Sequence, residues 1–152
     1  MPQIAFPWNP GAQAPSVVPS TLGIQGQWVR VGTPTYATFA TAATTNTVPL
    51  FQLPSAAIMH GVKMVPTAAF TGGSISAYTV SVGDGSNNAL YASAFNVFQA
   101  PGATVYQLSS DFGGESLVAA TQLYATATST GGNLSAATAG SVSIFAYLSR
   151  VM

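Results

Sequence analysis

Charge is what this sequence has least of. Asp, Glu, Lys and Arg together make up 4% of its 152 residues, against roughly a quarter in ordinary soluble domains. They are Arg30, Lys63, Asp84, Asp111, Glu115 and Arg150, and their charges sum to zero. Three scattered basic residues cannot neutralise a run of phosphates, so nucleic acid is not an expected partner. Cysteine is absent, which removes disulfides and thiol chemistry. No apolar run approaches the ~20 residues of a membrane span, so no membrane partner is expected either. The opening MPQIAFPWNP lacks the basic start and continuous apolar stretch of a signal peptide. Nor does any segment carry a convincing helical periodicity.

The means of catalysis are equally scarce. His60 is the one imidazole, and a general base needs an orienting partner and a nucleophile within hydrogen-bond reach. Asp84, Asp111 and Glu115 are the only carboxylates that could orient it, and no motif surrounds any of them. There is no Gly-x-Ser-x-Gly elbow, and Asp111 and Glu115 flank FGG in a loop rather than facing each other across a cleft. Asp84 with Ser86, Asn87 and Asn88 offers oxygen ligands of the kind calcium accepts. However, DGSNNALY lacks the acidic alternation and closing Glu of a calcium loop. We therefore expect no catalytic residue, no metal and no cofactor.

What the chain does have is apolar and strand-forming. Hydrophobic residues make up 48% of it, enough for one sizeable core. Pro2, Pro7, Pro10, Pro15 and Pro19 keep residues 1–24 out of helices and inner strands, because proline fixes φ and removes a donor. That segment is expected to be an extended arm. Its apolar side chains, Ile4, Phe6, Trp8, Val17, Val18 and Leu22, are candidate anchors for a groove on its own domain or on a neighbouring subunit.

Residues 25–152 are expected to form a single β-sandwich domain. QWVRV (27–31), TYATFATAA (35–43), TVPLFQL (47–53) and AIMHGVKMV (57–65) read as strands. Pro49 assigns the third to an edge or a strand start, and strict alternation puts His60 in line with Ile58, Val62 and Met64. AYTVSV, LYASAFNVF, ATVYQL (103–108), SLVAATQLYATATS (116–129) and SVSIFAYLS (141–149) continue the pattern. In the last, Val142, Ile144, Ala146 and Leu148 oppose Ser143, Phe145 and Tyr147. Gly-rich turns separate these runs, and GDGSNN reads as a hairpin bend rather than a reactive loop. About eight or nine short strands around one core imply a jelly-roll-like β-sandwich.

A free monomer normally keeps soluble with a charged surface and a net charge away from zero. This chain does neither, so much of its surface is expected to be covered by other protein. The plainer alternative is a neutral, Thr/Ser-rich secreted domain.

The arm, the run VPTAAFTGGSISAYTVSVGDGSNNALYASAFNVFQAPG and the closing TQLYATATSTGGNLSAATAGSVSIFAYLSRVM together resemble the small all-β structural proteins of tailed bacteriophages. They are most similar in character to capsid decoration (cement) proteins. The resemblance rests on composition and phrasing and covers the arm and the chain from about Val65 onward. It implies a jelly-roll domain on the outer capsid surface, often a homotrimer at threefold positions, whose extended termini grip neighbouring subunits. The expected partners are then the major capsid protein and further copies of this chain. Some cement proteins are acidic and this chain is not. A head–tail adaptor, a tail or fibre component, and a carbohydrate- or receptor-binding domain therefore stay open as alternatives. A hydrolase built on His60 ranks last.

Overall fold

Nine strands form among the described residues of the computed structural model, which are 26–55, 57–98, 101, 107–109, 116–117 and 121–150. They are β1 (Gln27–Gly32), β2 (Thr45–Leu53), β3 (Ala57–Thr71), β4 (Ala77–Gly83), β5 (Ala92–Asn96), β6 (Gln107–Ser109), β7 (Ser116–Leu117), β8 (Thr121–Thr130) and β9 (Ala139–Arg150). One sheet has the order β1-β9-β3-β6, with β7 also on β3, and the other has the order β2-β8-β4-β5. Every pairing is antiparallel.

This order has a simple cause. β1 pairs with β9, β2 with β8, β3 with β6 and β4 with β5, so the first half of the chain pairs with the second half in reverse. The chain is one long antiparallel ribbon rolled into two sheets, which is a jelly roll. Rolling places β1 and β2 at edges, in agreement with Pro49, whose missing N–H an edge tolerates.

The tip of the ribbon is the turn between β4 and β5. Asp84 Oδ1 accepts the backbone N–H of Ser86 and of Asn87, each at 2.9 Å, and Gly85 sits at φ 88°. A Cβ on Gly83 would overlap the backbone of Asn87 and Asn88. GDGSNN is therefore the bend on which the ribbon closes, and its carboxylate is occupied in shaping it.

Period-two alternation fills the space between the sheets. Met59, Val62, Met64, Val142, Ile144 and Ala146 face inward from the first sheet; Tyr78, Val80, Val82, Leu123, Ala125 and Ala127 do so from the second. Each large side chain so buried contributes ~1.5–3 kcal/mol. Three aromatics close one end: Phe39 lies 6.3 Å from Phe70, and Phe70 lies 4.6 Å from Tyr78.

Three expectations are corrected. The run 116–129 is not one strand: Ser116–Leu117 pairs with β3 in the first sheet, whereas Thr121–Thr130 belongs to the second. Residues 35–43 are not a strand: after an isolated bridge at Thr35, Tyr36–Phe39 forms a single helical turn, α1. The N–H of Thr35 donates to Thr38 Oγ1 at 3.1 Å, and the N–H of Thr38 donates to the carbonyl of Thr35 at 3.0 Å. This reciprocal bonding settles the turn locally and swings Phe39 into the core. His60 is not in line with Val62 and Met64. Met59 pairs with Leu148 and Gly61 with Tyr147, which makes His60 the extra residue of a bulge and leaves it exposed. Of the run 103–108, only the last two residues fall within β6, and the rest lie outside the described residues.

Tyr78 supplies a test of this core. Its hydroxyl is buried without a hydrogen-bond partner among the described residues, and burial pushes its pKa well above the usual phenol value. A folded-state pKa raised above the unfolded one gives stability that is complete below pH ~10 and is lost as pH rises beyond it. Tyr78→Phe is expected to leave stability at pH 7 unchanged or raise it by up to ~1 kcal/mol, since an unpaired buried hydroxyl is removed. It should also reduce the alkaline loss. Denaturant unfolding of both proteins at pH 7 and pH 11 checks this; a clear destabilisation by Tyr78→Phe at pH 7 would contradict the burial argument.

Candidate partner-binding face

The outward faces of the two sheets differ sharply. On the second sheet, Thr45, Thr128, Thr79 and Asn96 form one cross-strand row. Thr47, Thr126 and Ser81 form the next, with a Thr47–Thr126 hydroxyl bond of 2.8 Å. These rows carry hydroxyls and an amide and no charge.

On the first sheet, register puts Trp28 beside Tyr147 and Arg30 beside Phe145, with Lys63 on the other flank of Phe145. The Trp28 and Tyr147 rings are 5.2 Å apart, and the His60 ring lies 5.6 Å from Tyr147. Lys63 Nζ sits 4.6 Å from the Trp28 centroid and 5.0 Å from that of Phe145. Its ammonium thus bridges two aromatic faces by cation–π attraction. Gly26 closes this cluster from the arm side, since a Cβ there would collide with the Tyr147 ring. Trp28 nonetheless stays 39% exposed.

Trp, Tyr and Arg are the side chains that dominate protein interfaces. Here they stand together on one face with Lys63 as a second cation, while the opposite face is neutral and hydroxylated. The sequence held a signal for this. In β9, Ile144, Phe145, Tyr147 and Leu148 place large apolar groups on both phases of one strand, and a strand of that kind is covered on both faces.

His60 has a hydrogen-bond partner. Its Nε2 lies 2.7 Å from Ser149 Oγ, which is within the reach of a base and a nucleophile. Ser149 is 2% exposed and next to last in β9, and it lies on the wall of a groove that Phe51 and Leu148 also line. The contact fixes the bulged histidine against the sheet. The GDGSNN turn, where exposed Tyr and Trp would have marked a sugar site, has Tyr124 against Gly85, while Trp28 lies on the other sheet. The arm anchors Ile4, Phe6, Trp8, Val17, Val18 and Leu22 lie outside the described residues.

No family model matches the sequence, and no curated protein matches it. Among solved structures, a chain of the cyanophage Pam1 capsid asymmetric unit is similar, with a TM-score of 0.60 at 20% identity. The likeness covers 84% of this chain and 86% of that one. At this identity the likeness is one of fold, and the fold class is settled: an all-β sandwich.

Lys63→Ala is expected to lower stability by ~0.5–1 kcal/mol through loss of the cation–π contacts. Lys63→Arg should retain most of it. Urea unfolding monitored by tryptophan fluorescence measures both.

Proposed function

We propose that this chain is a non-enzymatic virion structural protein. It binds the outer surface of a phage capsid, as a homotrimer, and stabilises the shell by bridging neighbouring subunits of the major capsid protein. The observation that carries this reading is the aromatic and basic outer face of β1, β9 and β3, set on a sandwich whose fold is like that of a phage capsid chain. Near-absence of charge supports it, because such a surface gains little by standing alone in water. The physical action is burial across boundaries that must not slide. Each thousand Å² of apolar surface covered offers up to ~25 kcal/mol before ordering costs, and threefold attachment multiplies weak contacts through effective concentration. Contacts of this type are less sensitive to salt than a lattice of exposed ion pairs. The Pro-rich arm, with Ile4, Phe6 and Trp8 as anchors, acts as a strap between subunits.

The test uses particles built from the major capsid protein of the same virus. Trp28→Ala combined with Arg30→Ala should weaken binding by about 30-fold or more, the loss that follows from removing ~2 kcal/mol of interface anchor. Thr45→Ala combined with Thr128→Ala, on the hydroxylated face, should change it by less than about threefold. Loss confined to the threonine variant would contradict the assignment of faces. Failure of the unaltered protein to bind particles, with retention on a glycan array instead, would replace the capsid reading by sugar recognition at Trp28 and Tyr147.

A further inference from the structure

The rolled ribbon leaves one edge of the sandwich open. Near Gly32 the edge strands β1 and β2 meet closely, and a Cβ on Gly32 would lie 2.8 Å from Leu50 Cδ2. Toward Gln27 the same edge holds a groove of about 390 Å³, lined by Val29, Phe51, Pro54, Ala57 and Leu148. Phe51 shows that this is core left uncovered. It pairs with the fully buried Leu123 and so has the inward phase of β2, yet it is 36% exposed. An apolar position with core phase that stays this exposed is a place for another apolar group.

We infer that this groove receives the N-terminal arm of a second copy of this chain, with Phe6 and Trp8 as the inserted groups. The inference rests on the strap reading given above and names where the strap ends. Three observations lead to a second copy. The arm enters β1 on the rim of the groove, beside Gln27, one of its lining residues. The departure point is fixed, because Gly26 is held against Tyr147. The five prolines among the first nineteen residues stiffen the arm toward polyproline spacing, ~3.1 Å per residue. The 18 residues from Trp8 to Gly26 then reach roughly 55 Å from the rim. A domain of this size has a radius of gyration of only ~14 Å. In the inferred arrangement Phe6 and Trp8 occupy the groove of a neighbour, while the chain leaves the rim of its own groove at Gly26. Repeated around a trimer, each copy closes the open edge of the next.

The absence of cysteine makes the arrangement directly testable on the full chain, with no capsid present. Trp8→Cys and Phe51→Cys proteins are mixed and oxidised, and the products are resolved without reductant. Pro54→Cys serves as a second groove position in case Phe51→Cys is poorly folded, and Leu90→Cys, on the β4–β5 turn, serves as the distant control. The expected result is a cross-linked dimer from Trp8→Cys with either groove variant. Its yield should be at least about tenfold above the Leu90→Cys control, as an effective concentration near millimolar would give. A chain carrying both Trp8→Cys and Phe51→Cys should give linked oligomers rather than an internally bridged monomer. An internally bridged monomer, or no product above control from either groove position, overturns the inference. Particle binding is scored separately. Cross-linking without capsid binding leaves the groove assignment standing and removes the capsid reading; capsid binding without cross-linking does the reverse.

Discussion

The molecule is organised around one strand that is apolar on both faces. β9 pairs with β1 on one side and β3 on the other, and its inward phase, Val142, Ile144 and Ala146, is fully buried in the core. Its outward phase carries Phe145 and Tyr147, against which Trp28, His60 and Lys63 gather. The first phase holds the sandwich together. The second gives it a face that solvent does not satisfy. Core and candidate interface are thus two sides of one twelve-residue strand, and the fold places them back to back without any long-range device.

The scarcity of charge acquires a location in this arrangement. Arg30 and Lys63 both lie on the aromatic face, while the opposite sheet carries a neutral row of Thr, Ser and Asn. With so few ions available, placing two of the three cations on one face is a large share of what the chain can spend on orientation. Basic side chains at the rim of an aromatic patch fix register and suppress wrong partners more than they add affinity. The affinity of such a face comes from its rings, provided that water is excluded around them.

The sequence made the core legible where strands are regular. Tyr78, Val80 and Val82 alternate with Thr79 and Ser81, and the structure buries the first set. Leu123, Ala125 and Ala127 behave in the same way across from them. Pro49 foretold an edge and GDGSNN a bend, because both are read from single-residue stereochemistry. The reading failed where one residue is inserted or one local bond decides. The bulge at His60 reverses the phase that strict alternation assigns to it, and nothing in AIMHGVKMV marks the extra residue. The Thr35–Thr38 bonding turns a strand-like composition into α1. The aromatic face was half visible: Trp28 and Arg30 alternate with Val29 and Val31, and Phe145 and Tyr147 with Ile144 and Leu148. That they adjoin depends on β1 and β9 meeting from opposite ends of the chain. The open groove was invisible for a related reason, since it is a property of how β1 and β2 sit across the gap between sheets.

A density map of the protein on capsid particles, fine enough to distinguish the two sheets, tests the central claim most directly. The account predicts that β1, β9 and β3 face the shell, with density continuous from Trp28 and Tyr147 into the capsid protein, and that the threonine rows of β2, β8 and β4 face outward. A sandwich seated on its threonine face, with Trp28 exposed to solvent, would contradict it.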